Sequence, residues 1–383
     1  MKLAIFGGDL FWSNLPYEAL NYYYKVKKNN SNTKLIMFEN DIRLNKVFSG
    51  NEKFFFKKDH YTGCKDLITI KNWDEFYNIS NDFDLIYTSC KIAPKTRFPH
   101  NIKNNLKKNN ICAWDTGGVD ILVDSQFFAN KWIVKGKIWK EYLINAPRAE
   151  GKIKPEDIKV GSCPLYDRYV NKKLKIDPIM SKNNFFKKYS IGEHEKVLLV
   201  TPSNPGSHQA MFNENLNLLS KVLSVFKNNN FSIVLKTYPH DYMFYENESR
   251  YSGVYKRKNF LNKLKTQYDY LMSLDVFKNN DVKIIESQDH HEAILYSDTM
   301  YNMSGSSISW ETFYSDCKSF SIGYEKASFF KTLSYLPGCH FPDEYFNLNF
   351  ENNTNLEYTL EKIINEEFVN FKTSQKLVGE FFT

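Results

Sequence analysis

The chain has 383 residues, of which 42% are hydrophobic and 16% aromatic, so its length suits two domains of ordinary size and its composition excludes a disordered protein. Its net charge of +7 is spread over many short clusters; this fits anionic substrates or an anionic membrane surface, and it lacks the concentrated basic stripe of a nucleic-acid-binding protein. No apolar stretch approaches the roughly 20 residues of a membrane span, and Met1-Lys2 leads directly into a strand-like segment where a signal peptide would begin. We therefore expect a cytoplasmic protein, with peripheral contact with the inner membrane face left open.

The first half of the chain alternates short apolar runs with segments of helical length. The pattern predicts strands at 2–6, 34–38, 84–89, 111–114 and 158–161, and helices at 17–27 and 73–77. This alternation indicates a mostly parallel sheet with helices on both faces. The segment from 153 to about 184 carries charge and two prolines, Pro164 and Pro178, and is predicted to cross between two domains.

A second series of the same kind follows. The pattern predicts strands at 197–201, 231–236, 282–286, 299–303 and 318–324, and helices at 213–228, 259–277, 291–296, 307–314 and 356–371. We therefore predict an α/β fold of two doubly wound, Rossmann-like domains with a cleft between them, one spanning 1–175 and the other 185–383. In such a fold the ligands bind at the carboxyl ends of the strands.

Ser304-Gly305-Ser306-Ser307 follows one of these strands and opens a predicted helix. The turn offers backbone N–H groups, hydroxyls and the positive end of a helix, for which a phosphate is the natural ligand. Glu311 lies about one helical turn after Ser307, where it could accept hydrogen bonds from ribose hydroxyls. The alternative is that Ser306 or Ser307 only caps the helix.

Two more polar segments end predicted strands. His240 could donate to a phosphate oxygen and, when protonated, stabilise a departing nucleotide, and Lys236 could add positive charge. Asp115, followed by Gly117 and Gly118, could be a general base that takes a proton from an acceptor hydroxyl. The alternatives are that His240 is a loop histidine without a function, that Lys236 is simply solvated, and that Asp115 forms a turn. Together with the serine turn, these residues are what group transfer from a nucleotide-activated donor requires.

Other strand ends supply weaker candidates. Gly7 and Gly8 end the first strand without the spacing of a dinucleotide fingerprint, and they would leave room for acceptor or donor, with Trp12 as a sugar-stacking platform. The loop 203–208 follows the first strand of the second domain, so His208 is a second candidate for contact with the donor phosphate.

No metal site is expected. Asp82-Phe83-Asp84 directly precedes a strand and is typical of a turn, whereas a Mg²⁺ site needs converging carboxylates. Asp289-His290-His291-Glu292 has the composition of a metal cluster, but adjacent histidines are not expected to share a helix face. We interpret Asp289 as a helix N-cap, and one of the two histidines could still line a nucleotide pocket, because the segment follows a predicted strand.

The three main segments resemble the motif set of bacterial sialyltransferases of the GT-B fold. Asp115-Thr116-Gly117 is similar to the Asp-x-Gly motif of that family, Pro239-His240 to its His-Pro element in reversed order, and Ser306-Ser307 to its paired serines. The resemblance implies an inverting, metal-independent enzyme that uses CMP-sialic acid. It also implies that Asp115 is the general base and that His240 and the paired serines contact the CMP phosphate.

The chain also resembles bacterial surface-polysaccharide transferases, including CDP-glycerol glycerophosphotransferases and capsule Kdo transferases. Segments 134–141 and 160–167 are similar to the end of the first domain in those enzymes. We therefore predict a cofactor-free glycosyltransferase that moves a sugar, preferably a CMP-linked nonulosonic acid or Kdo, onto a glycan or lipid-linked glycan of a capsule or lipooligosaccharide. The alternatives are a CDP-polyol phosphotransferase of similar fold, a nucleotide-sugar epimerase of the GT-B fold, and a non-enzymatic glycan-binding protein.

Overall fold

A computed structural model gives the fold of a large part of the chain. It describes residues 1–7, 15–39, 64–89, 110–114, 129–134, 136–145, 153–161, 169, 179–202, 209–236, 274–278, 280–285, 289–303, 308, 311–312, 315–320 and 356–365. The chain divides into two compact units: the described residues up to 169 belong to the first, and those from 179 onward belong to the second.

The first unit is built on a seven-stranded sheet. Its elements are β1 (Leu3–Phe6), α1 (Leu15–Lys27), β2 (Thr33–Phe38), β3 (Leu67–Ile70), α2 (Trp73–Ser80), β4 (Leu85–Ser89), β5 (Asn110–Trp114), β6 (Lys131–Val134), α3 (Lys137–Asn145) and β7 (Ile158–Val160). The strand order is β3-β2-β1-β4-β5-β6-β7, and every pairing among these strands is parallel. The chain adds β2 and β3 on one side of β1 and then β4 to β7 on the other side. This order is that of a doubly wound fold.

The central position of β1 in the sheet explains why its sequence is a continuous apolar run. Successive side chains of a strand point to opposite faces, and both faces of a parallel sheet are covered. Phe6 stacks on Phe76 of α2 with ring centroids 4.2 Å apart, whereas Ile5 packs on the other face in a cluster with Leu20 of α1 and Trp114 of β5. All three of these partners are almost fully buried, so the core lies on both sides of the sheet.

The second unit has the same design with five strands. Its elements are α4 (Lys182–Lys188), β8 (Lys196–Thr201), α5 (Gln209–Asn228), β9 (Phe231–Lys236), α6 (Asp275–Lys278), β10 (Lys283–Ile285), α7 (His290–Tyr296), β11 (Thr299–Asn302), β12 (Lys318–Phe320) and α8 (Leu356–Ile364). The strand order is β10-β9-β8-β11-β12, again with parallel pairings throughout these strands. The prediction of two doubly wound α/β units is confirmed.

One face of the second sheet carries the main apolar cluster. Phe226 of α5 is fully buried, meets Phe231 edge-on at 4.9 Å and stacks on Phe320 at 5.9 Å between ring centroids. Leu360 of α8 belongs to the same cluster. Thus α5 and α8 pack over the strands, as the apolar spacing of both helices predicts.

Several elements differ from the sequence-based prediction. β3, β6, α3 and α4 were not predicted, because β3 is partly exposed and α4 has only two apolar side chains, Phe185 and Phe186. The segment from 153 to 184, expected as an interdomain crossing, contains the predicted strand β7, the boundary between the two units and the first turn of α4. Most of the predicted helices 259–277 and 307–314 lies outside the described residues. None of the helices in the described ranges is long and apolar enough to span a bilayer.

Candidate functional site

The strand order of the second sheet identifies the place where a ligand would bind. The chain moves outward from β8 through β9 to β10 on one side, and continues through β11 to β12 on the other. Ligands of doubly wound sheets bind outside the carboxyl ends of the strands at this switch point. We therefore take the carboxyl ends of β8 and β11, with the neighbouring start of α7, as the candidate site.

The ends of β8 and β11 are joined by polar contacts. Both strands end in buried polar residues, Thr201 and Asn302. The Thr201 hydroxyl donates to Asn302 Oδ1 at 3.3 Å, and the Met303 amide donates to the Thr201 carbonyl at 3.1 Å. These contacts fix the two strand ends relative to each other, so the segments that leave them start from a defined position.

Glu311 is a buried carboxylate that follows Asn302 by nine residues and contacts the start of α7. Its side chain is 10% exposed, and its Oε2 lies 3.4 Å from Nε2 of His290 and 3.8 Å from Nε2 of His291. The two imidazole rings are 3% and 2% exposed, and their centroids lie 3.6 Å apart. A carboxylate in such a site needs donors or positive charge, and the two imidazoles can supply both.

Asp289 holds the start of α7 in place. It occupies the N-cap position but its side chain makes no cap hydrogen bond. Its Oδ2 instead accepts from Lys188 Nζ at 2.7 Å and from the Tyr189 hydroxyl at 2.5 Å. The predicted N-cap position is therefore confirmed, whereas the carboxylate binds the end of α4.

Glu292 fixes the same helix one turn later. Its Oε1 accepts from the Met180 amide at 2.9 Å, and the Tyr296 hydroxyl donates to the Met180 carbonyl at 2.6 Å. Asp289 and Glu292 are three residues apart and share a face, so this face binds the first residues of the second unit. The face that carries the two histidines is left to contact Glu311.

The histidine pair corrects one expectation. Adjacent histidines were not expected to act together, yet both imidazoles approach the same oxygen of Glu311. The spacing rule describes the direction in which each Cα–Cβ bond leaves the helix. Beyond Cβ the imidazole side chains are long enough to converge at the first turn of α7. The geometric premise of that expectation is wrong.

Three of the predicted site residues lie in described parts of the chain. Glu311 is at the candidate site, as described above. Lys236 is half-buried at the carboxyl end of β9, paired in register with Ile285. Gly7 follows β1, and a Cβ there would lie 3.3 Å from Met37 Cε, so a larger residue would require a small shift of that side chain. The functional roles of Lys236 and Gly7 stay predictions.

The other predicted site residues lie outside the described residues, and their roles also stay predictions. They are Gly8, Trp12, Asp115, Gly117, His208, His240, Gly305, Ser306 and Ser307.

Thr201 and Asn302 were missed by the sequence analysis, as was the pairing of His290 and His291 with Glu311. A signal was present, because Thr201 and Asn302 are polar residues at the ends of apolar strands. The two histidines lie about 20 positions before Glu311, so no local sequence pattern indicates their pairing with it.

Sequence comparison finds no matching family model and no matching curated protein. Many solved structures are similar in fold, among them the following three. A UDP-GlcNAc 2-epimerase from Neisseria meningitidis bound to UDP-GlcNAc matches with a TM-score of 0.57 and 12% identity, over 99% of this chain and 94% of that one. The UDP-GlcNAc 2-epimerase from Methanocaldococcus jannaschii in complex with UDP-GlcNAc and UDP matches at 0.54 and 14%, over 99% and 98%. The wall teichoic acid polymerase TagF, as its H548A variant, matches at 0.55 and 12%, over 100% and 85%.

At these identities the similarity concerns the fold and not the reaction. It covers nearly the whole chain in each case, and the matched proteins have the two-domain architecture predicted here. The two parallel, doubly wound sheets and these matches together establish that the chain has the GT-B fold.

Proposed function

We propose that this protein is a nucleotide-sugar-dependent glycosyltransferase and that the carboxyl edge of its second sheet binds the nucleotide. The observation that carries the proposal is the position of Glu311. This carboxylate, 10% of whose side chain is exposed, contacts the first two residues of α7 and follows β11, a strand at the switch point of the sheet, by nine residues; such sheets bind their ligands at that point. Ribose hydroxyls are donors of the kind that this carboxylate would accept.

The histidines give this carboxylate a defined orientation. Both lie close to Oε2, at 3.4 and 3.8 Å, and hold the carboxylate in one direction before ribose donates to it. The start of α7 is in turn held by Asp289 and Glu292. A carboxylate positioned before the ligand arrives loses little conformational entropy on binding.

The remaining roles extend the proposal to residues outside the described parts of the chain. Asp115 would take the proton of the acceptor hydroxyl as its oxygen attacks the anomeric carbon and the bond to the nucleotide phosphate breaks. His240, Ser306 and Ser307 would stabilise the charge on the departing phosphate. A metal ion is not needed for these steps.

The donor is the least constrained part of the proposal. The motif resemblance favours a CMP-linked nonulosonic acid or Kdo, transferred to a bacterial surface glycan. A thermal-shift screen with CMP, CDP, UMP, UDP and GDP would identify the nucleotide, because a ligand that binds the folded state raises its melting temperature.

A nucleotide-sugar epimerase is the second candidate function. It is favoured by the fold similarity to two UDP-GlcNAc 2-epimerases over 99% of this chain. A third candidate, a polyol-phosphate transferase, is favoured by the similarity to TagF. An epimerase would change a UDP-sugar with no acceptor present, a phosphotransferase would form a phosphodiester, and a glycosyltransferase would form a glycoside. Product analysis by mass spectrometry therefore separates the three.

Replacing Glu311 by Gln tests the nucleotide site itself. A hydrogen bond to a charged group contributes about 1.5–3 kcal/mol, so we expect the variant to bind the nucleotide at least tenfold more weakly. Glu357 is exposed on α8, and Glu357→Gln is the matched control, expected to bind like the wild type. Equal affinity in the two variants would contradict the proposed site.

Asp115→Ala tests the proposed base. We expect the variant to lose transfer but to keep nucleotide binding, because the residue would act on the acceptor. Turnover at the wild-type rate would rule out this assignment.

A further inference from the structure

We propose that His290, His291 and Glu311 form a binding site for a divalent transition-metal ion such as Zn²⁺, Co²⁺ or Ni²⁺. One ligand atom from each of these three buried residues lies within 4.8 Å of the other two. The metal site shares Glu311 with the proposed nucleotide site, but metal binding can be measured without nucleotide and does not depend on the proposed function.

The ligand chemistry fits this class of ion. Imidazole nitrogen and carboxylate oxygen are common ligands of Zn²⁺ and its neighbours, at about 2.0–2.2 Å from the ion. Around a tetrahedral ion such ligand atoms lie roughly 3.3 Å apart. Glu311 Oε2 is already 3.4 Å from His290 Nε2 and 3.8 Å from His291 Nε2, so little movement of the carboxylate is needed.

The two rings must turn apart to bind an ion together. Their centroids lie 3.6 Å apart with an interplanar angle of 43°, whereas two imidazoles on one tetrahedral ion have centroids roughly 5 Å apart. The movement is a rotation of side chains, because the backbone of α7 is fixed by the contacts of Asp289 and Glu292. The ligands are therefore gathered before binding, and the ion completes the arrangement.

The surroundings favour a cation, and the described part of the chain supplies three ligands for it. The histidines supply positive charge to Glu311 only when they are protonated, whereas a divalent ion would supply it at any pH at which the ligands bind. Of the nearby carboxylates, Asp289 accepts from Lys188 and Tyr189, and Oε1 of Glu292 accepts from the Met180 amide. Three ligands leave a fourth position for water or for a bound molecule.

Cobalt absorption measures this site without any reference to activity. The full chain is freed of metal with a chelator and titrated with Co²⁺, whose visible bands report four-coordinate binding. We expect one equivalent to bind, and we expect Zn²⁺ to displace it and to raise the melting temperature of the protein. Absence of Co²⁺ and Zn²⁺ binding to the wild-type chain would overturn the proposal.

Variants locate the ion. His290→Ala, His291→Ala and Glu311→Gln should each weaken Co²⁺ binding at least tenfold, whereas His194→Ala, which changes an exposed histidine, should leave it unchanged. Binding of unchanged affinity in the His290→Ala/His291→Ala double variant would place the ion elsewhere and refute the site. Metal-free melting temperatures identify any variant that is unfolded, and in that case Glu311→Gln, which keeps the side-chain volume, decides the question.

Discussion

Replacing Asp289 by Asn should loosen the contact between α4 and α7 while leaving the shape of the side chain unchanged. The carboxylate is 8% exposed and accepts from Lys188 at 2.7 Å and from Tyr189 at 2.5 Å. A hydrogen bond to a charged group contributes about 1.5–3 kcal/mol. Lys188 is 32% exposed, so its share falls to about 1 kcal/mol or less.

The tyrosine bond survives in weaker form, because the amide oxygen of asparagine still accepts from the hydroxyl. Loss of the carboxylate charge would weaken this hydrogen bond by about another 1 kcal/mol. We therefore expect the opening free energy of this contact to fall by about 2 kcal/mol, which raises the open fraction roughly 30-fold.

Hydrogen exchange followed by mass spectrometry resolves this effect from the rest of the molecule. Peptides covering α4 and α7 should exchange faster in Asp289→Asn, whereas peptides covering β1 in the first unit should not change. Asp275→Asn is the matched control, since Asp275 is 88% exposed and lies 3.8 Å from Lys278. If the two variants show the same exchange in α4 and α7, the contacts of Asp289 do not stabilise the second unit and the reasoning is wrong.

Three further predictions concern the stability and reactivity of the chain. Hydrogen bonds from Lys27 and Lys34 hold the pKa of Asp66 below its usual range in the folded chain. The contribution of Asp66 to folding stability is therefore present above about pH 4 and is lost as the pH falls through this lowered pKa. Asp66→Asn should therefore be about 1 kcal/mol less stable at neutral pH, with the difference closing in acid when unfolding is followed by circular dichroism. Phe226→Ala removes a fully buried ring and should cost about 3–5 kcal/mol in urea unfolding of the second unit; a loss below about 1 kcal/mol would contradict the packing. Burial raises the pKa of the Cys112 thiol to about 12, so iodoacetamide should alkylate it only after unfolding, and rapid labelling of the folded chain would contradict this.

Strands that are buried on both faces were the most predictable part of the fold. β9 has the predicted bounds at both ends, and β8 differs by one residue, because an unbroken apolar run between polar segments marks such a strand. α4 could not be found in this way. Its Phe185 packs against Tyr189 and against Tyr296 of α7, so a short polar segment becomes a helix through a tertiary contact.

The candidate site was predictable only in part. The position of Glu311, shortly after an apolar strand and a serine turn, is itself enough to predict a ligand-binding role. The convergence of His290 and His291 on it depends on how α7 leads into β11, which local spacing does not encode. For the same reason the rule that separates adjacent histidines on a helix failed here, since it considers the helix by itself.

The contacts between α4 and α7 also set an order for folding during synthesis. Met180 and Glu292 are 112 residues apart in sequence, and Lys188 and Asp289 are 101 apart. The central strand β8 likewise pairs with β11, which follows it by about the same distance. A nascent chain that ends before residue 289 therefore lacks the partners of α4 and one neighbour of β8, and the apolar residues Val197–Val200 of that strand stay uncovered on one edge. We expect the second unit to complete its fold only after α7 and β11 have been synthesised, and chaperones that bind exposed apolar strands to engage the chain before that point.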